Sequence, residues 1–222
     1  MPGRAIAPKP KTTTRDQVLD VAERLAQTRG FNGFSYADIA AELGITKASL
    51  HYHYPTKSDL GCALVERYRH RFGNALAQIN GAGLPASRQL DSYVQLYAGV
   101  LRSGRLCLCG MLAAEYSTLP EPMQRAIRGF FEVNETWLAR LLETGRQDGD
   151  LTFDGAATEA ANAFTSTLEG AMLLARSYGD VARFETAAAR LLREFAAAAG
   201  DRRTAGRTAA RSRSTVERRE GA

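Results

Sequence analysis

The chain has 222 residues, enough to bury a sizeable core, with 45% apolar and 24% charged residues, which is ordinary globular usage. Its net charge is a modest +5, no apolar run approaches a membrane span, and the opening MPGRAIAPKPKTTTR lacks the apolar core of a secretory signal. Three cysteines, Cys62, Cys107 and Cys109, are too few and too unevenly spread for a disulfide framework, so a soluble cytoplasmic protein is predicted.

Residues 1–13 read as a flexible basic arm, broken by Pro2, Pro8 and Pro10. Thr14-Arg15-Asp16-Gln17 reads as a capping box, and Val18, Ala22, Leu25 and Ala26 give an apolar stripe running to Gly30, a helix stop. Ser35 with Asp38 repeats the capping logic for a short helix ending at Gly44. A third helix is expected over about 46–54, and Thr56-Lys57-Ser58-Asp59 caps a fourth to about Ile79. After a break at Gly81–Pro85, helices are expected at roughly 86–103, 107–117, 121–147, 155–178 and 181–199, the last two capped by Asp154 and Asp180. Residues 201–222 hold no aromatic and one large aliphatic, Val216, so they predict a disordered basic tail. The class is all-α, with three domain-level parts: a unit over 14–57, a body over 58–200 and the tail. Residues 1–57 carry a net +3, 58–200 a net −2 and the tail a net +4. Such a split suits either nucleic acid as partner of the first unit or an ordinary charged surface.

The informative stretch is FSYADIAAELGITKASLHYHYPTKSDL, residues 34–60. It reads as two short helices joined by a tight turn, with Ala40 at a close crossing and Gly44 supplying the turn's positive φ. Ile39, Leu43, Ile45 and Leu50 point inward and fix the interhelix angle. The outward face of the second helix is then Thr46, Lys47, Ser49, His51, Tyr52 and His53, hydrogen-bonding side chains able to reach into a DNA groove.

The residues Gly33-Phe34-Ser35, Asp38-Ile39-Ala40, Gly44-Ile45-Thr46, Lys47, Leu50, Tyr52-His53-Tyr54 and Lys57 together resemble the tetracycline-repressor (TetR) family of one-component transcriptional regulators over about 14–60. One departure is His51, where the family usually has Tyr; Tyr54 replaces the usual Phe and is expected to pack. The resemblance implies a helix-turn-helix domain on a helical ligand-binding and dimerisation bundle, with double-stranded DNA and a small-molecule effector as partners and no membrane or cofactor. Ser35, Thr46, Lys47, Ser49, His51, Tyr52, His53 and Lys57 are the DNA-binding candidates. Thr46, Ser49 and Lys47 suit base edges or phosphates, Tyr52 and His53 phosphates, and Lys57 a phosphate at the start of the fourth helix. His53 is equally readable as a partly buried, satisfied histidine.

For the body, Tyr93, Tyr97, Cys107, Met111, Glu115, Phe130, Asn134, Trp137, Phe164 and Glu169, with Tyr116 and Phe131, are the candidates for a cavity, most of them core and a minority lining it. Their aromatic and aliphatic character predicts an uncharged or weakly anionic effector. Cys107 and Cys109 are either core or a thiol sensor of electrophiles, with Arg102 and Arg105 placed to lower a thiol pKa. The small residues of the last two helices, Ala160 and Ala171 among them, point to an isologous homodimer or to a simple alanine bias. The fourth helix is expected to be the only rigid link between unit and body. No nucleotide-binding glycine loop, metal quartet or Ser-His-Asp signature is present, and His51 and His53 diverge by about 200° on a helix. The reading is therefore a ligand-released homodimeric repressor. The rivals are an enzyme and a helical interaction module without DNA binding.

Overall fold

The computed structural model describes residues 13–196. The expected basic arm, apart from its last residue, and the expected disordered tail lie outside the described residues. Within them are nine α-helices: α1 (Thr14–Arg29), α2 (Tyr36–Leu43), α3 (Lys47–His53), α4 (Lys57–Gly81), α5 (Ala86–Arg102), α6 (Leu108–Ala114), α7 (Glu121–Gln147), α8 (Ala157–Tyr178) and α9 (Val181–Phe195). A single 3₁₀ turn, Tyr116–Thr118, follows α6.

The caps decide most boundaries. The box opening α1 sits one residue earlier than the sequence suggests. The Thr13 hydroxyl accepts from the Asp16 N–H at 3.2 Å, and the Asp16 carboxylate accepts from the Thr13 N–H at 3.3 Å. A carboxylate is a stronger acceptor than the amide of Gln17, and its charge suits the positive helix start. Thr56 with Asp59 opens α4 and Asp180 opens α9. Asp154 does not cap α8. The chain turns at Gly155 (φ 77°), and the N–H of Ala156 goes to Glu159 instead. The expected helix 107–117 is cut to α6 plus the 3₁₀ turn, which tightens the chain ahead of Leu119 and Pro120.

In the N-terminal unit α1, α2 and α3 close around Val18, Ala22, Ile39 and Leu50, each fully buried. Gly44 takes the left-handed conformation, φ 65° and ψ 30°, at the corner between α2 and α3. The body packs α8 against α7 and α9, with α4 and α5 completing the bundle. Its centre is aromatic: Phe72 lies between Tyr68, Tyr93, Tyr97 and Phe130, with ring centroids 5.3–6.3 Å apart.

Unit and body are joined by polar bonds as well as by the length of α4. Glu23 of α1 is buried and pairs with Arg67 of α4 at 2.9 Å and with Arg71 of the same helix. Arg67 also holds Asp20 at 2.7 Å. Glu23→Ala removes the shared acid, but Arg67 keeps Asp20 and Arg71 is half-exposed, so the loss is smaller than for a fully buried pair. We expect about 2 kcal/mol, seen as a melting transition lowered by roughly 4–8 °C. An unchanged transition would mean that the pair carries no net stability.

Candidate nucleic-acid interface and the cavity coupled to it

Helix α3 is short and is held by a cap and a floor. Thr46 caps it, accepting from the Ser49 N–H at 3.2 Å, and Leu50 plugs it into the core. The opposite face is open: Thr46, Lys47 and His51 are exposed, Tyr52 is 84% exposed, and Ser49 and His53 are half-buried. A phenol so exposed gains nothing from the fold, and its ring rests only on His53, centroids 5.3 Å apart. His51 stacks toward Tyr36 and its Nδ1 lies 3.0 Å from the Pro55 carbonyl, which fixes the ring at the end of α3. Tyr54 is buried, as its packing role requires, and its hydroxyl accepts from Arg15 at 3.2 Å.

Beside α3 the start of α2 opens a recess of about 330 Å³ walled by Ser35, Tyr36, Ala37, Lys47, His51 and Lys57, with Phe34 behind. Backbone N–H groups at a helix start, a lysine and a histidine suit an anion there. Lys57 differs from expectation. Its ammonium donates to the carbonyls of Phe31, at 2.6 Å, and Phe34, and sits 4.5–4.7 Å from both ring centroids. Burial pulls its pKa down, against the nearby Glu115 and Asp38. In the free protein Lys57 thus closes the α1–α2 turn, and Lys47 is the exposed lysine of the face.

The turn that Lys57 closes is also held from the body. The Glu115 carboxylate accepts from the N–H of Phe31 at 2.8 Å and of Asn32 at 3.1 Å. A side chain at Gly30, φ 84°, would overlap that carboxylate. Asn32 donates onward to Thr118 at 2.8 Å. At the other end of α6, the Gln27 side-chain amide of α1 donates to the Leu106 carbonyl at 3.0 Å, and the main-chain carbonyl of Gln27 accepts from the Leu106 N–H at 3.3 Å. Arg176 of α8 adds bonds to Gly104 and Thr28. The expectation that α4 is the only rigid link is therefore wrong: one end of α6 is fastened to α1 and the other to the α1–α2 turn.

The side of α6 away from its buried Leu108, Cys109 and Leu112 walls a cavity of about 270 Å³ with α7 and α8, lined by Leu106, Cys107, Gly110, Met111, Ala113, Ala114, Phe131, Glu169, Met172 and Leu173. Of the ten principal candidates read from the sequence, it brings together Cys107, Met111 and Glu169; Phe131 joins them. The others lie elsewhere, each for a visible reason. Glu115 is at the junction just described. Tyr93, Tyr97 and Asn134 satisfy one another in a buried triangle: Tyr93 donates to Asn134 at 2.9 Å, Asn134 donates to Tyr97 at 3.0 Å, and the phenols are 3.2 Å apart. Phe130 and Phe164 are core. Trp137 stacks on Tyr93 and donates to Asn80 on the outer surface, and Tyr116 receives Arg128.

Glu169 is the polar exception in this apolar wall. Its Oε1 is buried and has no hydrogen-bond partner among the described residues. Burial pushes its pKa up from 4.5 to about 7, with a small opposing effect of the Cys107 thiol beside it. Cys107 is buried and receives the Tyr68 hydroxyl at 3.7 Å. Burial and Glu169 push both thiols upward, so the expected lowering by Arg102 and Arg105 does not occur; Arg102 is turned away to Glu185 of α9.

Comparison with known proteins agrees with this two-part construction. Residues 18–63 match the bacterial regulatory proteins of the tetR family, and residues 87–191 match the tetracyclin repressor-like C-terminal domain. A TetR-family transcriptional regulator of Agrobacterium tumefaciens is 36% identical in sequence. Its solved structure superposes with a TM-score of 0.80, over 82% of this chain and 97% of that one. The chain belongs to the TetR family. A TetR regulator of Legionella pneumophila is 32% identical with a TM-score of 0.76, over 82% and 97% of the two chains. The HTH-type transcriptional repressor NemR of Escherichia coli is 29% identical over 171 residues, 73% of this chain and 84% of that protein. This TetR-family member is thus a DNA-binding transcription regulator and not an enzyme. None of its described helices is long and apolar enough to cross a membrane.

For the DNA face, Lys47→Ala is expected to flatten the slope of log affinity against log salt by about one unit. Lys57→Ala is expected to leave that slope nearly unchanged and to lower the melting transition. Titrating both variants against one duplex at several salt concentrations checks this. Equal slope losses would restore Lys57 as a phosphate contact.

Proposed function

We propose that this regulator is a homodimeric repressor that leaves a palindromic operator when a small molecule enters the α6–α8 cavity. The observation that carries the reading is the position of α6. One side of it is cavity wall, and its two ends hold α1 and the α1–α2 turn through Gln27 and Glu115. A ligand that displaces α6 therefore acts on the unit carrying α3. It does so to the extent that it binds the two arrangements unequally. Thr46, Lys47, Ser49 and Tyr52 are the groove-facing residues in this reading, and Ser35, His51 and His53 border the phosphates.

Two half-sites need two copies. The C-terminal half of α8 and the adjoining face of α9 supply the surface for pairing. Leu174 and Tyr178 are 59% and 66% exposed, and between the helices runs an open recess of about 600 Å³ walled by Ala171, Leu174, Ala182, Thr186 and Ala187, with Asp180, Arg183 and Arg190 also in its wall. Large apolar residues left bare on α8 beside such a recess mark an interaction surface. Ala160 is buried within the chain itself, whereas Ala171, largely buried, lies in the wall of this recess. The test is a mobility shift on the DNA flanking the gene, followed by footprinting. Two protected half-sites one helical turn or a multiple apart support the reading. Protection of a single half-site, or none, overturns it.

A second reading, release by reaction of Cys107 with an electrophile, is favoured by one observation. Cys107 lines the cavity beside Glu169, whose carboxylate is able to take the thiol proton near neutral pH. Against it stands the raised thiol pKa. Cys107→Ser is expected to keep operator binding and to keep release by the true effector within about threefold, the scatter of a small packing change. Loss of release with operator binding intact would select the thiol reading.

A further inference from the structure

Glu169 is a carboxylate placed where the rest of the wall is hydrocarbon and thiol. The cavity holds roughly nine water volumes at about 30 Å³ each, so its ligand is small. An acceptor that is buried without a donor costs free energy unless something supplies one. Burial and Cys107 are the influences on its ionisation, and no lysine, arginine or histidine from α7, α8 or α9 is among them. The titratable groups around it are Cys107 and Cys109 on α6, Tyr68 on α4, and Tyr93 and Tyr97 on α5, all pushed upward in pKa and hence neutral. Gly110 is the residue that makes room for it: a Cβ there would overlap the Glu169 carboxylate. The side chain thus occupies a place kept for it by a glycine, yet one of its oxygens is left without a bond.

We propose that the α6–α8 cavity takes a small organic cation bearing an N–H, which donates to the Glu169 carboxylate while its carbon skeleton lies against Met111, Phe131 and Met172. This rests on the reading of the cavity as the effector site, and it replaces the uncharged or weakly anionic effector that the aromatic and aliphatic candidates suggested. Charge and a hydrogen bond reinforce each other in a site of low dielectric, so the head group decides the affinity. The same carboxyl links binding to pH. Below about pH 7 Glu169 is protonated and the cation faces a neutral acid; above it the pair forms.

Three probes share one skeleton and differ in the head: 2-phenylethylamine, 2-phenylethanol and 3-phenylpropionate. Their binding to the full chain is measured by calorimetry without DNA at pH 6 and pH 8. At pH 8 the amine is expected to bind at least tenfold more tightly than the alcohol, with the carboxylate weakest. Between pH 8 and pH 6 the amine should weaken by about tenfold, because the ionised fraction of a group titrating near 7 falls by that factor while the amine stays charged. The alcohol should change little. Glu169→Gln should bring the amine level with the alcohol and remove its pH dependence. An amine that does not bind at millimolar concentration, that binds no better than the alcohol, or that keeps its affinity at pH 6 overturns the proposal. If Glu169→Gln does not fold, the wild-type pH profile decides alone. A parallel mobility shift with the amine separates this from the effector reading. Amine binding with the expected pH profile but without release of DNA leaves the site assignment standing and removes the effector role.

Discussion

Leu174→Arg is expected to convert the protein to a monomer and to reduce operator affinity by two orders of magnitude or more. Leu174 stands 59% exposed on α8 at the edge of the recess against α9 and contributes little to its own chain's core. The substitution should therefore leave the monomer's melting transition almost unchanged. In an isologous interface each substitution appears twice, so two further cations would be buried in a surface that already carries Arg183 and Arg190. A dimer on two half-sites gains from the second contact through effective concentration, and a monomer forfeits that gain. Sedimentation of the wild type and the variant at micromolar concentration, beside a mobility shift, checks the outcome. A variant that still sediments as a dimer, or a wild type that is monomeric, would place the pairing surface elsewhere.

The double variant Gln27→Ala, Glu115→Ala is expected to bind operator yet respond poorly to effector. These two side chains fasten α6 to α1 and to the α1–α2 turn, and neither lies on the exposed face of α3. Removing them takes away the side-chain bonds at both ends of α6 and leaves the main-chain Leu106–Gln27 bond and the bonds of Asn32 and Arg176. A tenfold effect of ligand on operator affinity corresponds to about 1.4 kcal/mol of coupling. That is within what three hydrogen bonds, two of them to a carboxylate, are able to transmit. We expect the effector-induced loss of DNA affinity to shrink to threefold or less, while ligand binding measured without DNA stays close to wild type. The loss of the Glu115 bonds to Phe31 and Asn32 should also lower the melting transition, since two N–H groups at the α1–α2 turn lose their acceptor. A full response in the double variant would return the transmission to α4, through Glu23 and its two arginines.

Much of the DNA-facing unit was legible in the sequence because local chemistry writes it. Capping pairs such as Ser35–Asp38 and Thr56–Asp59, a positive-φ glycine at 44 and apolar spacing at Ile39 and Leu50 each act within a few residues. The outward face of α3 follows from the inward one by helix geometry alone. Thr13 replacing Thr14 as the cap, and Glu159 replacing Asp154, are errors of one and five residues among competing acceptors of the same kind. The body was legible as a bundle and little further. A buried aromatic face looks the same whether its partner is another helix or a cavity, so Tyr93, Tyr97 and Asn134 read as ligand contacts until the structure closed them on one another. The fates of Lys57 and Glu115 depended on partners 23–84 residues away, a distance at which spacing carries no signal. The fastening of α6 to α1, and the single unsatisfied oxygen of Glu169, exist only where the folded chain brings distant segments together. Sequence determined which residues could face DNA, because helix periodicity is local; tertiary structure decided which acids are spoken for, because a hydrogen bond needs both partners in place.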